Sequence, residues 1–103
     1  MNLSELGRLA EPALLIMASL AGGPKHGYAM MEDIEKMTGV HIGPGTLYGA
    51  LARIEEQGLI EGLPPVQRRR PYRLTAVGQQ ALLEQLKSME QFASAGLQRL
   101  ATL

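Results

Sequence analysis

The sequence predicts a mainly α-helical fold with one small β-hairpin and a long C-terminal helix. Three observations predict it. Hydrophobic residues make up 46% of the 103, drawn largely from Leu, Ala and Met, with one Phe, three Tyr and no Trp. That balance suits packed helices better than an aromatic-rich sandwich of strands. Apolar residues recur at helical spacing along most of the chain, and Gly or Pro punctuates the segments that carry them. Late in the chain, two short apolar runs flank Pro64, Pro65 and Arg68 to Arg70, which reads as two strands joined by a loop.

The elements follow in order. Asn2 with Glu5 is a capping-box pattern, but Gly7 and Pro12 hold any helix it starts to a few residues, so residues 1–11 read as a short arm. Pro12 suits the first turn of a helix through Leu20 that is apolar nearly all round and is ended by Gly22-Gly23-Pro24. Such a helix belongs at the centre of the core or in a dimer interface. From Gly27 to Met37, the apolar positions Met30, Met31, Ile34 and Met37 trace one buried face among charged neighbours, and Gly39 supplies a left-handed cap. After the link Val40 to Gly43, Pro44 opens a third helix running to Gln57, with Leu47, Leu51 and Ile54 inward and Gly58 closing it. These two helices form a helix-turn-helix pair.

Leu59–Gly62 and Pro71–Leu74 are the two strands, and the loop between them is a wing. Thr75 then caps a long helix in which Leu82, Leu86, Met89, Ala93, Gly96 and Leu100 fall at alternating spacings of four and three, a coiled-coil-like seam. A domain this small cannot bury such a stripe alone, so the seam predicts a dimer. The expected interface set is Leu14, Leu15, Leu82, Leu86, Met89, Phe92, Ala93, Leu97 and Leu100. The whole reads as one compact unit, a winged helix-turn-helix over residues 1–78 with a dimerisation helix over 79–103.

Composition excludes several classes of function. There is no Cys, which removes disulfides, thiolate metal sites and Cys nucleophiles and makes the cytoplasm the expected compartment. The longest apolar run, Pro12 to Leu20, is too short to cross a bilayer, so no membrane association is expected. The serines lack a nucleophile-elbow context, and the acids Glu55 and Glu56 read as solvated charge at a helix end, so no enzymatic activity is expected. His26 and His41 are the only histidines and complete no metal pattern, so neither metal nor cofactor is expected. His26 reads as a group hydrogen-bonding at a helix start, and His41 as an exposed turn residue.

What remains is a polyanion. Ten basic residues balance ten acidic ones, so net charge alone gives no support for nucleic-acid binding. The distribution does: from Leu63 to Thr75 there are four arginines, Arg68, Arg69, Arg70 and Arg73, and no acid. Adjacent guanidinium groups without an acid nearby in sequence suit phosphate or minor-groove contact, against the alternative of a solvated loop tip. On the third helix, Gly45, Thr46, Gly49, Ala50 and Arg53 form a slim face able to enter a major groove, against the alternative of close helix packing. Tyr48 and Tyr28 can each hold a ring at the core edge and aim a hydroxyl at phosphate. Arg53, Gln67 and Thr46 are the candidates for reading bases.

Several of these segments together carry a resemblance. Gly23-Pro-Lys-His-Gly-Tyr28, Pro44-Gly-Thr-Leu-Tyr48, Leu51 with Ile54-Glu55, Gly58-Leu-Ile60 and Arg69-Arg-Pro-Tyr-Arg-Leu-Thr-Ala-Val-Gly78 stand in an order and spacing that closely resembles the PadR-like winged-helix regulators of bacteria. The match covers about Pro12 to Gly78. The resemblance implies a homodimeric repressor on an inverted-repeat DNA operator, with each C-terminal helix packed against the partner's N-terminal region. It also implies a DNA-facing set of Tyr28, Pro44, Gly45, Thr46, Tyr48 and Arg68 to Arg70. Some relatives sense aromatic drugs or phenolic acids at the dimer interface, which implies a small-molecule effector there. Two positions depart from the pattern: Pro71 interrupts the arginine run at a place that suits an edge strand or bulge, and the lack of Trp leaves Phe92 as the one aromatic of the final helix. The alternatives from other classes are a winged-helix protein-interaction module and a small-molecule-binding dimer with its pocket at the crossing of the helices that contain Ile16 and Phe92.

Overall fold

The computed structural model describes residues 11–103. The Asn2–Glu5 capping box and the arm up to residue 10 lie outside the described residues. The elements run α1 (Pro12–Ala21), β1 (Lys25–His26), α2 (Gly27–Thr38), α3 (Pro44–Glu56), β2 (Ile60–Gly62), β3 (Pro71–Leu74) and α4 (Ala76–Ala101).

α1 is the hub. Pro12 sits in its first turn, where a missing N–H leaves no helical bond unmade. Leu15, Ile16, Met17 and Leu20 are buried against α2, α3, β3 and α4, which is why the helix is apolar nearly all round. Leu15 therefore packs within the protomer's own core rather than on an outer seam. The one buried polar side chain among the described residues, Ser19, donates to Asp33 Oδ2 at 2.6 Å, while Lys25 donates to the Ser19 carbonyl. These bonds tie the end of α1 to α2 and β1.

α2 begins at His26, whose side chain accepts from the Ala29 N–H, and stops at Gly39 with φ of 76°. Met30 and Ile34 are fully buried, but Met37, predicted on the same face, is 49% exposed in the last turn. α3 buries Leu47, Leu51 and Ile54 as predicted, and also Ala50. Ala50 was expected on the outer face; at helical spacing it points about 40° from Ile54, at the edge of the inward stripe, and the helix buries it there. Gly58, also at φ of 76°, follows the helix end.

The predicted two-stranded hairpin is a three-stranded antiparallel sheet in the order β1-β3-β2. β1 pairs Lys25 with Tyr72 and His26 with Pro71. Pro71 thus lies in the central strand, not on an edge. It is tolerated because it is the first residue of β3, where its carbonyl accepts from Leu63 N–H at 2.8 Å.

Thr75 caps α4 by accepting from Gly78 N–H at 3.0 Å and donates to the Gly58 carbonyl at 2.6 Å, fastening α4 to the end of α3. Only Gly78 and Leu82 of α4 are buried, so Leu82 also packs within the protomer core. Every residue from Leu83 onward is exposed. With 26 residues the helix is about 39 Å long, and it accounts for the 55 Å long axis of the molecule. Among the described residues, no helix is long and apolar enough to cross a membrane.

Candidate nucleic-acid interface

The wing closes on a two-residue turn. Val66 and Arg69 exchange backbone hydrogen bonds of 2.8 and 2.9 Å, and the residues between them, Gln67 and Arg68, have φ of 52° and 68°. Two successive positive φ values are the signature of a hairpin turn whose twist matches the flanking strands, a place usually filled by Asn-Gly. A non-glycine residue held there is strained by roughly 1–3 kcal/mol. The strain sits at the tip, where Arg68 projects.

The four arginines have different surroundings. Arg68 stands at the tip, and Arg69 places Nη1 3.3 Å from His26 Nε2. Arg70 folds back over the Tyr72 ring at 5.6 Å from its centroid, lies 3.7 Å from Glu55 Oε2, and rests against the backbone of Gly62. Arg73 bonds Glu61 on the neighbouring strand, its cross-strand partner. The expectation that the arginine cluster lacks acids is thus corrected for Arg70 and Arg73, whose partners come from α3 and β2.

Opposite Arg68 and Arg69 lie the two predicted tyrosines, Tyr28 at 62% and Tyr48 at 50% exposure. A shallow cleft of about 170 Å³ is lined by His26, Gly27, Tyr28, Tyr48, Arg68, Arg69, Arg70 and Tyr72. It joins α2, α3 and the wing. Gly27 permits the junction, since a β-carbon there would lie 2.6 Å from the Tyr48 hydroxyl and 3.1 Å from Leu47 Cδ2. The sequence reading left Gly27 and His26 out of the site. The motif Gly23 to Tyr28 contains them, but only the approach of α3 gives them neighbours.

Pro44, Gly45, Thr46 and Gly49 are all exposed, and a β-carbon at Gly45 or Gly49 would meet nothing within 4 Å. The outer ridge of α3 is thus bare of large side chains. Arg53 is the exception to the grouping. It lies near the far end of α3, lining a groove of about 280 Å³ with Leu14, Ile54, Gln57, Leu82 and Gln85, away from the wing cleft.

The remaining interface candidates divide by exposure. Leu14 is half-buried at that same groove. Leu86 is 42% exposed beside a second groove of about 460 Å³ shared with Leu20, Leu74 and Leu83. Met89, Phe92, Ala93, Leu97 and Leu100 stand free, Phe92 at 82% exposure. Ile16 has no exposure, and neither it nor Phe92 lines either groove, but both grooves are lined by residues of α1 and α4, the helices that contain them. Among the described residues, no group of His, Asp and Glu is placed to hold a metal ion.

Comparison with known proteins agrees with this geometry. Over 82 residues the chain is 43% identical to an uncharacterised 37.1 kDa protein in transposon TN4556 of Streptomyces fradiae, covering 80% of this chain but 24% of that protein. It therefore spans about a quarter of that relative's length. It is 34% identical over 83 residues to the transcriptional regulator Rv3488 of Mycobacterium tuberculosis, covering 78% of this chain and 77% of that one. The backbone matches a transcriptional regulator from Clostridium thermocellum with a TM-score of 0.77 at 26% identity, over 95% of this chain and 97% of that one. Residues 16–84 match the model of the transcriptional regulator PadR-like family. The chain belongs to the PadR-like family, whose members are transcriptional regulators and not enzymes.

Proposed function

We propose that this protein is a sequence-specific DNA-binding regulator that acts as a homodimeric repressor. The observation that carries the proposal is the junction of Tyr28, Tyr48, Arg68 and Arg69 around one cleft beside the bare N-terminal face of α3. A slim helix beginning in a positive dipole end suits a major groove, and the arginine wing beside it suits the flanking backbone or minor groove. Pro44, Gly45, Thr46 and Gly49 then approach the groove floor while the tyrosines and the wing set the register.

The exposed row on α4, Leu86, Met89, Phe92, Leu97 and Leu100, supports pairing with a second copy. Zero net charge adds to that support, because one head with few free cations binds weakly and two heads on one duplex bind together. An effector would be sited at this pairing. The 460 Å³ groove lies at the base of α4, so a small molecule held there changes the angle at which the helix leaves the head and thereby the spacing of the two reading faces.

Selection of fragments from a random duplex pool by the purified protein tests the reading. The expected product is an inverted repeat with half-sites one helical turn apart or a multiple of it. Failure to enrich any duplex would favour a winged-helix module that binds protein instead.

A further inference from the structure

We propose that His26 and Arg69 act as a two-donor clamp on a single DNA phosphate, joining the start of α2 to the wing. The proposal rests on the DNA-binding reading above and adds a residue to it. A neutral imidazole has one lone pair and one N–H. His26 uses Nδ1 to accept from Ala29 N–H at 3.4 Å, as the N-cap of α2. Its hydrogen is therefore on Nε2, and Nε2 lies 3.3 Å from Arg69 Nη1, which can only donate. Two donors face one another with no acceptor between them.

The other tautomer does not remove the conflict. It lets Nε2 accept from Arg69 but turns Nδ1–H toward the Ala29 N–H, so the cap is lost. An oxygen that accepts from both Nε2–H and the guanidinium resolves it, and an anionic oxygen does so most strongly. Space exists for one: a cleft of about 320 Å³ opens here, lined by His26, Tyr28, Ala29, Glu32 and Arg69. Glu32 is the one carboxylate on its wall, and it forms no ion pair with Arg69. Tyr28 also lines this cleft.

A phosphate held from two elements also fixes the angle between wing and α2. The chemistry is that of a phosphate oxygen, and its source is the duplex backbone, because the cleft is continuous in residues with the one that joins Tyr48 and Arg68 to the same face.

The test is a double-mutant cycle on duplex affinity with His26→Asn and Arg69→Ala in the full chain. Asn is a strong N-cap, and its shorter side chain cannot carry an N–H to the position of His26 Nε2, so the fold is kept while half the clamp is removed. Each single change is expected to weaken binding by about tenfold, the range of a hydrogen bond to a charged group. The double variant should be no weaker than the poorer single one. His26→Asn combined with Arg68→Ala should instead show multiplied losses. Unchanged affinity in His26→Asn, or losses that multiply fully with Arg69→Ala, overturns the clamp while leaving DNA binding intact. Absence of duplex binding by the wild type overturns both. His26→Ser, also a capping residue, is the second variant if the Asn form melts early. Inorganic phosphate alone should leave the melting temperatures of wild type and His26→Asn alike; stabilisation of the wild type only would make this a free-anion site and overturn its assignment to DNA.

Discussion

Four arginines close together in sequence do separate work in the fold. Arg70 is committed to Tyr72 and Glu55, and Arg73 to Glu61, whereas Arg68 and Arg69 present donors at the wing cleft. The cluster itself was legible as a local excess of positive charge. The division within it was not, because Glu61 meets Arg73 only through the register of the paired strands, and Glu55 meets Arg70 only when α3 comes alongside. Arg53 shows the same limit: helical position put it on the outer edge of α3, but α1 and α4 turn that edge into a separate groove. The φ of 68° at Arg68 leads to a prediction that separates charge from folding. Arg68→Gly removes a cation and relieves a left-handed residue, so it should raise stability by about 1 kcal/mol in urea unfolding while weakening duplex binding. Lower stability would show that the tip is not strained.

At the level of elements, α1 to α4 were readable because apolar period and Gly or Pro punctuation agree at nearly every boundary. β1 was not, since a dipeptide has no period and is defined only by its pairing with Tyr72 and Pro71. Apolar spacing also does not say who covers a stripe. Leu15 and Leu82 were assigned to a partner, yet α1 and α4 bury them within one protomer. The docking of α4 depends on Gly78, where a β-carbon would fall on the backbone carbonyl of Leu59. That atom cannot move as a side-chain tip can, because Leu59 also accepts from Thr75 N–H at 3.1 Å. Gly78→Ala should therefore destabilise the protein by about 1–3 kcal/mol, measured by denaturant unfolding. A change within a few tenths would mean that α4 is not held at that point.

For the molecule as a whole, the head buries a small core around α1 and α4 extends from it with its apolar residues in the open. The proposed dimer accounts for that helix. Phe92→Asp, at a position 82% exposed in the protomer, should leave the head folded but shift sedimentation toward monomer and reduce duplex affinity by tenfold or more through lost bivalency. Unchanged sedimentation would place the pairing surface elsewhere. The claim at the centre is that the cleft between α2, α3 and the wing grips DNA phosphate through Arg68 and Arg69. The most direct measurement is the slope of log affinity against log salt concentration, for wild type, for Arg68→Ala with Arg69→Ala, and for Arg70→Ala. Each lost phosphate contact lowers the slope by about 0.9. The paired change should thus reduce it by roughly two per head, with Arg70→Ala leaving it unchanged; equal slopes for wild type and the paired variant, or no binding at low salt, would contradict the claim.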